Sequence, residues 1–124
     1  EIDGNPHIHL LPPMPRRELA ALMASCDALI HGCEAETFSM VAAEAVASGL
    51  PIVVPDRGGA ADHARSAGGF CYAVGDAADA ARAIQQCLAA RRPPAGGPTR
   101  SMKDHFEALF AHYCSLAPAS KRAA

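Results

Sequence analysis

Residues 34–55 read EAETFSMVAAEAVASGLPIVVP, and the fold turns on this stretch. Between Phe38 and Gly49 the only ionisable side chain is Glu44, set in a run of methionine, valine and alanine. A helix apolar almost all round is a buried helix. A carboxylate inside it is costly unless a partner or a polar cleft receives it. Thr37 or Ser39 can cap this helix, Gly49 stops it, and Pro51 opens a compact apolar strand over residues 52–55. Glu34 and Glu36 stand just ahead of the helix start. The order is carboxylates, helix start, buried carboxylate, buried strand.

Upstream, residues 1–6 read as a polar loop and residues 7–11 as a short strand ended by Pro12-Pro13. Pro15 then opens a helix over 16–25, with Leu19, Leu22 and Met23 at helical spacing, and a second short strand follows at 28–31. Downstream, Asp56-Arg57-Gly58-Gly59 reads as a turn, residues 60–66 as a short helix and 70–74 as a strand. Asp76 is the expected cap of a helix over 77–91, whose Ala81, Ile84, Cys87 and Leu88 form one face. Residues 92–98 form a Pro/Gly linker. A last amphipathic helix over 99–116 places Met102, Phe106, Leu109, Phe110 and Tyr113 on one side, with a frayed tail from Ala117. Strands alternating with helices at this spacing predict an α/β domain with a parallel sheet.

At 124 residues the chain holds at most one domain with a respectable core. Eleven basic against thirteen acidic residues leave a net charge of −2, with the cations scattered, so nucleic acid is not expected as the main partner. No apolar run is long enough for a membrane span or signal peptide. The five cysteines are widely spaced and contain no Cys-x-x-Cys, which argues against a disulfide framework or zinc knuckle and for buried free thiols in a reducing compartment. A cytoplasmic location follows. His7 and His9 share a strand face but have no third ligand nearby, so strand-edge histidines account for them better than a metal site.

In open parallel α/β sheets, ligands bind beyond the carboxyl ends of strands, at helix N-termini. Residues 31–36, the amides of Phe38, Ser39 and Met40, the 56–59 turn and Gly75-Asp76 all fall at such ends. The open donors and dipole of a helix start suit a phosphate. No Walker-type phosphate loop and no Gly-x-Gly-x-x-Gly dinucleotide fingerprint occurs. If the helix starts near Ser39, Glu44 lies about 7 Å further along its axis. Two carboxylates flanking a phosphate-binding helix start can grip the two polar ends of one ligand, a sugar and a ribose. Equally, Glu36 can be a solvated loop acid and Glu44 a structural one.

The run Glu36-Thr-Phe-Ser-Met-Val-Ala-Ala-Glu44, followed by AVASGLPIVVP, resembles the E-x7-E signature of retaining GT-B glycosyltransferases, the GT4-like family. HIHLLPPMPRREL and ALMASCDALIH upstream, and DRGG and AVGDA downstream, are similar to that family in the same order, so the resemblance spans about residues 7–91. It implies a Rossmann-like parallel sheet with flanking helices, present in part. Residues 1–91 would be a partial nucleotide-sugar-binding domain, 92–98 a linker, and 99–124 a C-terminal helix and tail. Glu36 would contact donor-sugar hydroxyls near the reacting carbon, as the catalytic residue. The amides of Phe38, Ser39 and Met40 would hold the donor diphosphate, and Glu44 would accept hydrogen bonds from the ribose. The family generally has glycine where Ser39 stands.

No metal or other cofactor is implied, the donor being a nucleotide sugar. The family's work lies in polysaccharide or glycolipid biosynthesis, and peripheral association of the parent protein with a membrane fits it. The resemblance further implies an N-terminal acceptor domain and two preceding strands, which carry the Arg/Lys pair that neutralises the diphosphate. None of these is in the sequence, and Arg57 is the only basic candidate near the site. The chain is therefore expected to be a fragment, inactive alone, with a bare sheet edge at residues 28–31. It would be marginal, self-associated or rearranged at its N-terminus. Against this reading stand a non-catalytic nucleotide-sugar-binding or interaction module, a GT-B nucleotide-sugar epimerase, and a metallohydrolase built on His31, Cys33, Glu34 and Glu36.

Overall fold

The computed structural model describes residues 4–90 and 101–116. Three strands, β1 (Leu29–Ile30), β2 (Ile52–Pro55) and β3 (Phe70–Tyr72), form a parallel sheet in the order β1-β2-β3. Leu29 pairs with Ile52, and Val53, Val54 and Pro55 pair with Phe70, Cys71 and Tyr72. Five helices accompany them: α1 (Arg16–Ser25), α2 (Met40–Ala47), α3 (Gly58–Ala67), α4 (Ala77–Ala90) and α5 (Met102–Leu116). Among the described residues no helix is long and apolar enough to cross a membrane.

The central strand β2 explains the layering. Successive side chains of a strand point to opposite faces of the sheet. Ile52 and Val54 join a core with Met23 of α1, Ala42 and Ala45 of α2 and Ala60 and Ala64 of α3. Val53, on the other face, packs with Ala83 and Cys87 of α4. All of β2 is buried, as a strand covered on both faces must be, and this is why it reads as an uninterrupted apolar run. Ile52, Val53 and Val54, all fully buried, each contribute about 1.5–3 kcal/mol by burial.

Several boundaries differ from the sequence reading. Residues 7–11 form no strand; Ile8, Leu10 and Leu11 are exposed. The Ile8 amide donates to the Asn5 carbonyl and the His7 amide to Asn5 Oδ1, bonds of a turn. An isolated extended segment gains nothing without a neighbouring strand, and β1, the sheet edge next to this part of the chain, is only two residues long. Gly58 and Gly59 are the first turn of α3 and no free turn. The buried face of α4 is Ala83 and Cys87; Ala81 and Leu88 are exposed. Of the cysteines only Cys87 is buried, with Cys71 intermediate and Cys26, Cys33 and Cys114 exposed. On α5, Phe106, Phe110 and Tyr113 are exposed and Leu109 half-buried. The linker at 92–98 and the tail from 117 lie outside the described residues.

Gly49 does stop α2. It adopts a left-handed φ of 77°, and the Leu50 amide donates to the Ala45 carbonyl and the Gly49 amide to that of Val46. This paired closure is a common way for a helix to satisfy its last carbonyls.

Candidate functional site

The carboxyl end of β1 delivers the chain into residues 31–39, which run to the start of α2. His31 is held there by both neighbours: its amide donates to the Val53 carbonyl and its carbonyl accepts from the Tyr72 hydroxyl at 2.8 Å. Its Nε2 is buried without a hydrogen-bond partner and lies 3.8 Å from a Glu36 carboxylate oxygen. Glu34 is paired with Arg57 at 3.9 Å, and Arg57 with Asp56 at the same separation. Among the described residues no three His, Cys, Asp or Glu side chains converge, so His31, Cys33, Glu34 and Glu36 do not form a metal-binding group.

The loop is shaped from behind by α3. The Gly59 amide donates to the Glu36 carbonyl at 2.8 Å. A Cβ on Gly58 would stand 2.7 Å from the Glu34 carbonyl oxygen, and one on Gly59 would stand 2.5 Å from that of Thr37 and 2.6 Å from the Phe38 Cα. Both positions therefore need glycine for close backbone approach, a reason the turn reading of residues 56–59 missed. His63, one turn into α3, meets the same loop: its Nε2 is 2.7 Å from the Phe38 carbonyl oxygen, and its ring stands edge-on to the Phe38 ring at 4.8 Å.

Ser39 occupies the N-cap position of α2, but it does not cap. Its backbone is left-handed, φ 60° and ψ 78°, and its hydroxyl makes no bond to the helix. It is the one non-glycine residue with positive φ among the described residues. An L-residue pays about 1–2 kcal/mol for that conformation. The whole residue is 1% exposed and its hydroxyl has no partner. Thr37 supplies no cap bond either. The amides of Phe38, Ser39 and Met40 donate to no carbonyl outside the helix among the described residues, so this helix start has donors without backbone partners, although Ser39 as a whole residue is buried.

Glu44 is not buried as the apolar helix suggested. Ala42, Ala45 and Val46 of α2 are buried and Val41 packs partly buried against the same core, while Met40 is 57% exposed and the Glu44 side chain keeps 39% of its surface. Its carboxylate meets Arg16 of α1 at 3.4 Å, beside a cavity of about 270 Å³ lined by Leu19, Met23 and Ser48 among others. Arg16 is a basic group that the sequence reading did not bring to the site. It lies 28 residues away, so spacing could not place it; only the packing of α1 on α2 does. His63 and the glycine pair were missed for the same non-local reason.

The geometry is that of a parallel α/β domain with its polar loops and an open helix start at the carboxyl ends of the strands. Over residues 1–100 the chain matches the family described as Glycosyl transferases group 1. It belongs to that family. A GDP-mannose-dependent alpha-mannosyltransferase of Mycobacterium tuberculosis (strain CDC 1551 / Oshkosh) is 52% identical over 46 residues, 37% of this chain and 12% of the relative. The enzyme of the same name from Mycolicibacterium smegmatis (strain ATCC 700084 / mc(2)155) is 50% identical over 44 residues, 36% and 12% of the two chains. The match thus spans about an eighth of the length of these relatives. No solved structure matches the chain.

Proposed function

We propose that this chain is the donor-binding portion of a retaining glycosyltransferase, which moves a glycosyl group from a nucleoside-diphosphate sugar to a hydroxyl acceptor. The observation that carries the reading is the start of α2, whose first amides have no carbonyl partner and which lies in sequence between two carboxylates, Glu36 before the helix and Glu44 within it. Amides at a helix start combine free donors with a favourable dipole and suit a diphosphate. In this assignment the amides of Phe38, Ser39 and Met40 take the diphosphate, and Glu36 accepts hydrogen bonds from the sugar near the reacting carbon. Glu44 accepts them from the ribose, exchanging its exposed contact with Arg16 for the ligand's hydroxyls. Arg16, released from Glu44, is then a cation on the nucleotide side. Stabilising the departing diphosphate is the principal catalytic contribution, and the acceptor is held by a further domain outside this chain.

The relatives' names specify GDP-mannose and mannosyl transfer, so guanosine diphosphate is the ligand for the first test. Calorimetry should show GDP binding to the wild-type chain and about tenfold weaker binding to Glu44→Ala, the usual cost of losing hydrogen bonds to a charged acceptor. Absence of GDP binding, or binding indifferent to Glu44, would sink the assignment.

A further inference from the structure

His31 and Glu36 stand on the loop that leaves β1, and their backbones are pinned from different sides. The His31 amide and carbonyl are bonded to Val53 of β2 and Tyr72 of β3, while the Glu36 carbonyl accepts from the Gly59 amide of α3. What stays adjustable between them is side-chain rotation. The His31 side chain is 13% exposed, and its Nε2 is closed off from solvent with no hydrogen-bond partner. A polar nitrogen is unfavourable in that state, so it gains by meeting an acceptor within reach. Among the described residues the group paired with it is the Glu36 carboxylate, at 3.8 Å. That is about 1 Å longer than a hydrogen bond. Arg57 is engaged by Glu34 and Asp56 instead.

A carboxylate can only accept, so a bond between the two places a proton on His31 Nε2. Glu36 has the longer side chain and keeps 35% of its surface, so it is the glutamate that turns inward. One oxygen then meets Nε2, and the other remains free on the solvent side for hydroxyl donors. Hydrogen bonds to a charged acceptor are the stronger kind, which suits this one to fixing a direction.

We propose that His31 is the positioning residue of Glu36: it donates from Nε2 to the carboxylate and sets the direction in which the free oxygen meets the hydroxyls of the donor sugar. The inference rests on the donor site proposed above. His31 itself touches no substrate.

Because Glu36 is assigned to the sugar and not to the diphosphate, the readout is the margin by which GDP-mannose binds more tightly than GDP, with both used as probes in calorimetry. His31→Phe keeps a ring of similar size and removes the donor; His31→Gln restores an N–H at similar reach. Neither touches the backbone bonds to Val53 and Tyr72. His31→Phe should shrink the margin about three- to tenfold, the loss of one hydrogen bond, with GDP affinity near wild type, and His31→Gln should recover it. In the wild-type chain with ¹⁵N-labelled histidine, in mildly alkaline buffer, the His31 proton should sit on Nε2 and its resonance should move with GDP-mannose. A margin unchanged in His31→Phe, equal losses for both probes in both variants, or a ring protonated on Nδ1 alone would overturn the positioning role. A wild-type chain with no margin, or one whose margin survives Glu36→Ala, places the failure in the sugar assignment of Glu36, and the positioning role falls with it.

Discussion

Helices α2 and α4 begin in opposite ways. At α4, Asp76 does what an N-cap residue should: its carboxylate accepts from the amides of Ala78 and Asp79 at 3.0 and 2.9 Å. Asp79 in the first turn then accepts from the Ala73 amide and pairs with Arg82. The Ala73 amide first, and Arg82 second, hold the Asp79 carboxyl below the usual carboxylate range. The start of α4 is closed by its own sequence. At α2 the corresponding residue is twisted into the left-handed region, its hydroxyl is turned inward, and no side chain caps the first amides. Nothing local gains from this arrangement. Backbone strain held in place by neighbouring structure is typical of functional sites, which is why the proposed donor site is put here and not at α4.

The contrast can be broken at three places. The largest effect is expected from Gly59→Ala. The new methyl would meet Thr37 and Phe38 backbone atoms that cannot swing aside, so chemical denaturation should show a loss of about 2–3 kcal/mol, and GDP binding should fall with it. Retained stability would mean that α3 is free to retreat from the loop. Next is Asp76→Ala, which removes a cap at a start outside the proposed donor site. A loss of about 1 kcal/mol is expected, with GDP affinity unchanged, and a fall in affinity would show that the two helix starts are coupled. The smallest is Ser39→Gly. Relief of the left-handed strain, about 1–2 kcal/mol, is partly offset by the greater freedom of glycine in the unfolded chain, about 0.5–1 kcal/mol. The variant should gain a few tenths to about 1 kcal/mol in a urea melt. A clear loss would show that the inward hydroxyl holds the loop.

The layers of the fold were legible because β2 carries its own signature. Ile52-Val53-Val54 is apolar on both faces and bounded by Pro51 and Pro55, and the flanking helices have apolar positions at helical spacing. The end of α2 at Gly49 and the cap at Asp76 were also readable, since both are chemistry between near neighbours in sequence. The errors share a cause. A strand at residues 7–11 depends on a partner strand elsewhere, which alternation cannot supply. The glycines at 58 and 59 look like a turn until the loop pressed against them is seen. Glu44 looks buried from its neighbours, yet an eight-residue helix on one side of a three-stranded sheet covers only part of its circumference. The roles of Glu36, Glu44 and the helix-start amides came from the family resemblance and belong to the proposed function.

The interface between α2 and α3 is made largely of alanine: Ala42 and Ala45 on one helix, Ala60 and Ala64 on the other, all without exposed surface. A methyl group has no rotamers, so it loses no side-chain entropy on burial and cannot take up slack by turning. Close-packed interiors transmit strain instead of absorbing it. The two helices therefore behave mechanically as one stiff block, with the 34–39 loop gripped along its edge. A tug on the loop should be felt at the far end of α3, near Gly68, before any side chain has had room to rearrange.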